Sequence, residues 1–462
     1  MKYTKLNQIS HILLRPDMYV GSIESKENNE WTYHESLDRI ISEKIMYNDG
    51  IFRCFTEVIS NAIDNFFRSL KGPTPMTILE VNYDEKTQKI EVMNDGNTIP
   101  IRIHEEGVYV PELIFGHLLS SSNFDDNDYR ISSGRNGLGV KLLNVFSKIF
   151  AIECYDKENE ILYRQVWKEN MGKKENAILT KRKYKRGYTK IKWLLDFSKF
   201  KLSSSEESGR YSVAMIQCLQ KILIDASMIM GIPVKWNEKK FFIKNYVDYC
   251  KYFRSHDKFF LEGRFSNDAF HEVHYCIVPS IGNGVEHISF VNGVYTKDGG
   301  NHVDVFSSKF FAILVARLKK YNISMRELRR HFTIFLKVFV SNPVFTSQSK
   351  TKMISSKKDC YSLIEFEEKD IQKILKWDVI DRLKEEFELK RELALKQTEK
   401  KRGFKAIHGY DKANFAGTKK SKQCSLILCE GLSAKTFATK GITKGFHQKR
   451  GRDYFGIFPL RG

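Results

Sequence analysis

The stretch SGRNGLGVK, residues 133–141, places three glycines in a G-x-x-G-x-G spacing, with a lysine two residues beyond the last. Such a loop can bind phosphate, because glycines expose successive backbone N–H groups and a helix that follows adds partial positive charge at its amino end. The candidate contacts are Arg135, Asn136, Gly137, Leu138, Gly139, Val140 and Lys141, the lysine falling in the first helical turn. The spacing is the reverse of the G-x-G-x-x-G dinucleotide fingerprint and lacks the G-K-S/T ending of a Walker loop. Taken alone, it also fits a structural turn.

A second polar set lies on a predicted helix, FRCFTEVISNAIDNFFRSL. Glu57, Asn61, Asp64 and Arg68 fall at i, i+4, i+7 and i+11 and share a face beside an apolar stripe of Phe55, Val58, Ile59, Ala62, Ile63, Phe66 and Phe67. By itself this is also how a solvated face looks. MNDGNTIP puts Asn94, Asp95 and Gly96 after a strand, where a glycine permits close approach to a ligand or simply turns the chain. LLSSSNFDDN offers Ser121, Ser122 and Asn123 as hydroxyl and amide donors, or as a polar loop. VSNPVFTSQSKTK presents Gln348, Ser349 and Lys350 on a loop after a strand ending at Val340, and these matter only if the loop reaches the same site.

The elements that must position these residues read as α+β. Strands are expected at Thr77–Tyr83 and Lys89–Met93, and VKLLNVFSKIF reads as a short apolar helix after the glycine loop. A second region, from about 237 to 405, carries strand-like VHYCIVPS, HISFVNGVY and HFTIFLKVFVSNP and helical VDVFSSKFFAILVARLKKY. It closes with one long charged helix whose buried stripe is Ile371, Ile374, Leu375, Val379, Ile380, Leu383 and Phe387. A Lys- and Gly-rich stretch then reads as a linker, and CSLILCEGLSAKTFATKG as the start of another strand and helix.

Composition bounds the partners. The 462 residues suffice for two or three domains, and no uninterrupted apolar run approaches the roughly 18 residues of a membrane span. The amino terminus has no secretory pattern, so the chain is expected inside a cell. Eight cysteines without a C-x-x-C pair read as reduced thiols. The 76 Lys and Arg against 56 Asp and Glu leave +20, which favours a polyanion such as nucleic acid.

In order, EVISNAIDN, MNDG, LLSSSNFDD, GRNGLGVK, HISFVNGVYTKDGGNHVD, SQSK, LILCEGLSAK and FPLRG resemble the amino-terminal half of a type IIA DNA topoisomerase of the eukaryotic or viral single-chain kind. The resemblance runs from HILLRPDMYVGS to Gly462. It implies a GHKL (Bergerat) ATPase α/β sandwich at 1–236 with an amino-terminal strap, a ribosomal-protein-S5-like transducer at 237–405, a basic linker at 406–423 and an incomplete TOPRIM segment at 424–462. It also implies ATP and Mg²⁺ as cofactors. Glu57 matches the general base and Asn61 the Mg²⁺ ligand, with Asp64 in support. Asn94, Ser121, Ser122 and Asn123 match nucleotide contacts, and 135–141 the loop over the phosphates. Gln348, Ser349 and Lys350 match a transducer loop whose lysine meets the γ-phosphate, and Tyr19 a strap residue that reaches the partner protomer's nucleotide. Glu430 matches a Mg²⁺ ligand of the cleavage domain, although Leu432 stands where the family usually has aspartate. The implied partners are double-stranded DNA, a second copy of the chain and a cleavage core, in the same polypeptide or a partner chain, with no membrane. The D-x-D pair and cleavage tyrosine do not occur in these residues, so the chain is not expected to cut DNA by itself. An Hsp90-like or MutL-like ATPase shares the helix and glycine loop, and a nucleotide-regulated DNA clamp shares the charge.

Overall fold

The computed structural model describes residues 5–70, 72–120, 137–202, 209–253, 259–268, 271–282, 284–347, 349–356, 364–401, 407, 409–443 and 451–460. Ser121, Ser122, Asn123, Arg135, Asn136 and Gln348 lie outside these residues. The chain divides into two compact units, 1–381 and 382–462.

The first unit opens with helix α1 (Gln8–Leu14) and a hairpin of β1 (Lys26–His34) and β2 (Arg39–Tyr47), which leads into helix α2 (Asp49–Ser69). This helix starts where it does because the Asn48 side chain accepts a hydrogen bond from the Ile51 N–H at 3.2 Å, while Asp49 and Arg68 complement the helix dipole at its two ends. Its apolar stripe faces a nine-stranded sheet, with Phe55 against Trp193 at 6.3 Å between ring centroids.

That sheet comprises β3 (Leu79–Asp84), β4 (Lys89–Asp95), β5 (Ser147–Asp156), β6 (Ile161–Lys168), β7 (Lys173–Lys174), β8 (Ile178–Lys181), β9 (Tyr188–Leu195), β10 (Val234–Trp236) and β11 (Lys239–Phe241). Their order is β11-β10-β3-β4-β9-β5-β6-β7, with β8 also on β6. Between strands run helices α3 (Val110–Gly116), α4 (Gly139–Val145) and α5 (Val213–Met230). The sequence SKIF belongs to β5 and not to a continued α4. Ser147 enters a strand paired on both sides, by β6 and β9, and the alternation of buried Phe150, Ile152 and Cys154 has the period of a strand. α5 alone among the described helices is long and apolar enough to cross a membrane, yet most of it is buried in this core, and its Lys221 and Asp225 pair at 2.7 Å.

After the short helix α6 (Tyr246–Lys251), a five-stranded sheet follows: β12 (Leu261–Asp268), β13 (His271–Pro279), β14 (His287–Val291), β15 (Val294–Tyr295) and β16 (Phe332–Phe339), ordered β12-β13-β16-β14-β15. Asn292 and Gly293, at φ +47° and +81°, make the tight turn that divides HISFVNGVY into two strands. Helix α7 (Asn301–Arg317) and the short α8 (Met325–Arg329) join β15 to β16. One apolar core continues from the first sheet through Tyr249 and Phe253 to Phe290 and Phe335 of the second.

The expected long charged helix is two helices, Glu368–Ile374 and Asp378–Lys401. No Pro or Gly marks the break. Trp377 turns inward there, buried against Phe332 and Phe259 at 6.0 Å each, and tertiary packing overrides the helical pattern. In the second unit, β17 (Ser425–Cys429) and β18 (Phe455–Pro459) pair in parallel beside the helix Leu432–Thr443. Asp411, within the Lys- and Gly-rich stretch, exchanges backbone bonds of 2.8 and 2.7 Å with Ile457.

The GGN corner before α7 fixes the loop that carries Lys350. Gly300 sits at φ +129°, and a Cβ there would occupy the position of the Met353 carbonyl. Backbone bonds from Asp298 to Thr351 (2.9 Å), Met353 to Gly299 (3.1 Å) and Asn301 to Met353 (3.0 Å) stitch corner and loop together. Gly300→Ala is therefore expected to destabilise the fold by about 1–3 kcal/mol, from the disfavoured backbone and the lost close approach. Chemical denaturation of the variant beside the parent chain measures it.

Candidate nucleotide site

A cavity of about 610 Å³ opens beside α2, within the usual range for a small-molecule site. Glu57, Asn61, Asp64 and Arg68 all line it, so the shared face looks into a cavity, from buried Glu57 and Asp64 to Arg68 at its exposed end. Gly137, Leu138, Gly139, Val140 and Lys141 form another part of the wall, and Lys350 and Asn94 further parts. Chain segments from three regions thus meet in one place. Tyr19 is not among the lining residues; its hydroxyl lies 2.9 Å from His11 Nδ1.

The charges concentrate around Glu57. Its carboxylate pairs with the Arg53 guanidinium one turn earlier, and both groups are buried. Burial alone would push the Glu57 pKa up; the Arg53 charge, with help from Lys350, outweighs burial and holds it below the ordinary carboxylate value. Burial likewise lowers the pKa of Lys350, against the pull of Glu57. Arg53 also donates through Nη1 to the Ser349 carbonyl at 3.3 Å, which ties α2 to the lysine loop. Lys350 itself adopts φ +57°, in the left-handed region.

Gly139 stands against Glu57. A Cβ at this position would collide with Glu57 Oε2 and displace the carboxylate, so glycine lets the loop come close to it without moving it. Lys141 is buried, and its ammonium donates to the carbonyls of Ser120 and, at 2.7 Å, Gly137. Burial brings its pKa down to about 8. It therefore ties Gly137 to Ser120 as well as lining the cavity.

The other end of the site is organised by Asp95. This buried carboxylate accepts from Thr77 N (2.7 Å), Thr77 Oγ1 (2.6 Å) and Ile78 N (3.1 Å), and pairs with Arg186 Nε at 2.8 Å. The amide of Asn65 donates to the carbonyls of Asp95 (3.4 Å) and Asn97 (3.2 Å), and that of Asn94 to Asp95 (3.0 Å). Val92, Ile99 and Ile191 add apolar wall beside these amides.

Arg53, Asn65 and Thr189 are neighbours of the site that sequence reasoning passed over, and Asp95, named there only as part of a turn, is the acceptor that organises its end. Arg53 stands four residues before Glu57, so helical spacing could have flagged it. Thr189 reaches the cavity only because β9 pairs with β4 and sets it opposite Asn94, a register no local signal reveals. Glu430 is exposed beyond the end of β17, and among the described residues no three His, Cys, Asp or Glu side chains gather to hold a metal ion.

A carboxylate-and-amide helix face, a glycine loop and a lysine from a second sheet, on an α+β sandwich, define a GHKL-type nucleotide-binding region followed by a second α/β layer. The sequence profile of DNA gyrase B matches residues 240–397. The DNA topoisomerase 2 of Invertebrate iridescent virus 6 is 35% identical over 493 residues, covering 100% of this chain and 42% of the viral protein. The crystal structure of the ATPase region of Saccharomyces cerevisiae topoisomerase II superposes with a TM-score of 0.74 at 33% identity, covering 83% of this chain and 98% of that one. The ATPase and transducer domains of DNA topoisomerase II from Balamuthia mandrillaris give 0.73 at 28% identity, over 84% and 98%. The chain belongs to the type IIA DNA topoisomerase family and corresponds to its amino-terminal ATPase region. It spans less than half the length of the curated relatives it matches.

Asp95→Ala removes the acceptor of three hydrogen bonds and strands buried donors. The expected loss is about 2–4 kcal/mol of stability, from unsatisfied groups and the broken ion pair. A denaturation midpoint that stays in place would contradict this account of the Asn94 end of the site.

Proposed function

We propose that this chain binds ATP with Mg²⁺ in the cavity beside α2, hydrolyses it, and acts as the dimeric gate that captures a DNA duplex for strand passage. The observation that carries the reading is the convergence of Glu57, Gly139 and Lys350 on one cavity, with Arg53 paired to Glu57 from outside its lining. Phosphoryl transfer asks little covalent chemistry of a protein and much positioning. A carboxylate whose pKa is held low is a weak proton acceptor; Glu57 serves chiefly to orient the attacking water and to receive its proton late. Lys350 offers its ammonium to the γ-phosphate, and the glycine loop offers backbone N–H groups.

The side-chain oxygen of Asn61 fits Mg²⁺, which takes one or two protein oxygens and fills its remaining positions with water and phosphate. Bound there, the ion would neutralise phosphate charge. Asp64 lines the same wall in support, and Ser121, Ser122, Asn123, Arg135, Asn136 and Gln348 are assigned to the nucleotide by the resemblance. Tyr19, outside its own chain's cavity, is left to reach the nucleotide of a second copy. Glu430 would give one oxygen to a second Mg²⁺ site completed by other carboxylates, and DNA cleavage would belong to a cleavage core in the same polypeptide or a partner chain. The working place is inside a cell, the nucleus for a eukaryotic source and otherwise the host cell or virion. The Hsp90-like and MutL-like readings are not favoured, because topoisomerase relatives match along the entire chain.

Glu57→Gln is expected to slow ATP hydrolysis by about 10²–10⁴-fold, the usual worth of a positioned general base, with nucleotide affinity within a few-fold of the parent. Single-turnover hydrolysis reads the first and a fluorescent nucleotide titration the second; undiminished turnover refutes the assignment, and absent turnover in the parent chain leaves a clamp. Arg53→Met is expected to lower the rate by an order of magnitude or more and to add nothing in a Glu57→Gln background, since both act on one group. Arg53→Lys should restore part of the rate.

A further inference from the structure

The positive charge of the chain is not spread evenly. Between residues 168 and 186 stand eight Lys and Arg against only Glu169 and Glu175. The segment lies at one edge of the nine-stranded sheet, where β7 and β8 both pair with β6 and all four residues of β8 are exposed. On strands nearer the middle of the sheet, lysines are matched: Lys190 and Lys192 face Glu91 and Glu153. At the edge the balance fails. Lys168 pairs with Glu175, Lys173 with Glu169, Lys174 with Glu112 and Arg186 with Asp95, while Lys183 reaches the exposed Glu160 only at 3.5 Å. Lys181, Arg182 and Lys185 are exposed, with no acidic side chain in ion-pair distance among the described residues.

This is not a loose basic tail. The Tyr155 hydroxyl donates to the Arg182 carbonyl at 3.1 Å and accepts from the Tyr184 N–H at 3.0 Å, and Arg182 N–H donates to the Glu160 carbonyl at 2.9 Å. The Tyr184 ring stands edge-on to Tyr155 at 4.9 Å and to Tyr188 at 5.9 Å. The cations therefore project from a backbone fixed in advance, which reduces the entropy lost when a rigid polyanion docks.

We propose that the exposed edge formed by residues 178–186 is a docking surface for the phosphate backbone of duplex DNA. The inference rests on the DNA partner of the preceding reading and gives that partner a place. A surplus of unpaired cations on an ordered ridge suits repeating phosphates, whose contacts release counterions and make binding salt-dependent. The ridge is also fastened at two points to the nucleotide cavity. Arg186 holds Asp95, the neighbour of Asn94, and Lys174 holds Glu112 of α3, whose Val110, Leu113, Ile114 and Phe115 line the cavity. DNA on the ridge thereby bears on the walls that hold ATP.

The test compares the parent chain with Lys181→Glu/Arg182→Glu/Lys185→Glu, none of which lines the cavity, and with a control of equal charge, Lys26→Glu/Lys319→Glu/Lys320→Glu. Anisotropy of a labelled linear duplex across a salt series, and ATP turnover with and without that duplex, are the readouts. The ridge variant should bind DNA at least tenfold more weakly. The slope of log affinity against log salt should shrink by about 2–3, close to 0.9 for each lost phosphate contact. DNA stimulation of turnover should disappear while turnover without DNA stays within twofold. Unchanged affinity and slope overturn the proposal, as does an equal loss in the control, which would mean diffuse charge. Retained DNA affinity with lost binding of a polyglutamate probe would assign the ridge to an acidic protein instead. A parent chain that binds no duplex refutes the DNA reading itself, and a parent that binds beside an unaffected ridge variant refutes only the ridge.

Discussion

The buried pair of Arg53 and Glu57 is the interaction on which the site depends. An ionised carboxylate out of water is costly unless it is paired, and here the partner comes from the same helix one turn away, so the pair forms whenever α2 forms. Another nitrogen of the guanidinium, Nη1, donates elsewhere. It reaches the Ser349 carbonyl and thereby ties the lysine loop to the same helix that carries Glu57.

From that pair the rest of the arrangement follows as a set of approach constraints. At Gly139 a side chain would displace the Glu57 carboxylate, and at Gly300 it would meet the backbone of Met353. The first brings the glycine loop against the carboxylate. The second hangs the lysine loop on the start of α7, so that a residue of the second sheet region stands in a cavity built mainly by the first. Two buried cations, Arg53 and Lys350, act on Glu57, and the charge of Asp64 acts on Lys350 as well.

Much of the site was legible as spacing. Glu57, Asn61, Asp64 and Arg68 share a helical face by arithmetic alone, and the glycine loop announced a backbone that must come close to something. What spacing could not say was whether that face met solvent or a cavity, and it took the sheet behind α2 to decide. The misreadings have the same origin. SKIF follows an apolar helix with no breaker between, and it becomes strand because β6 and β9 offer it hydrogen bonds on both sides. The long charged helix breaks at Trp377 because a large ring finds Phe332 and Phe259, residues remote in sequence.

The amino-acid sequence by itself determined the local devices: the capped helix with its polar face, the glycines that permit close approach, the Asn292–Gly293 turn and the surplus of positive charge. These depend on interactions within a turn or two of chain, which side-chain type and spacing specify directly. Only the tertiary structure decided that Lys350 lines the same cavity as Glu57, that Thr189 stands opposite Asn94, that Arg186 holds Asp95 and that the unmatched cations gather on one sheet edge. Those outcomes rest on strand register and on contacts across some hundreds of residues, where the free energy of burying a shared core, and no local preference, selects the pairing.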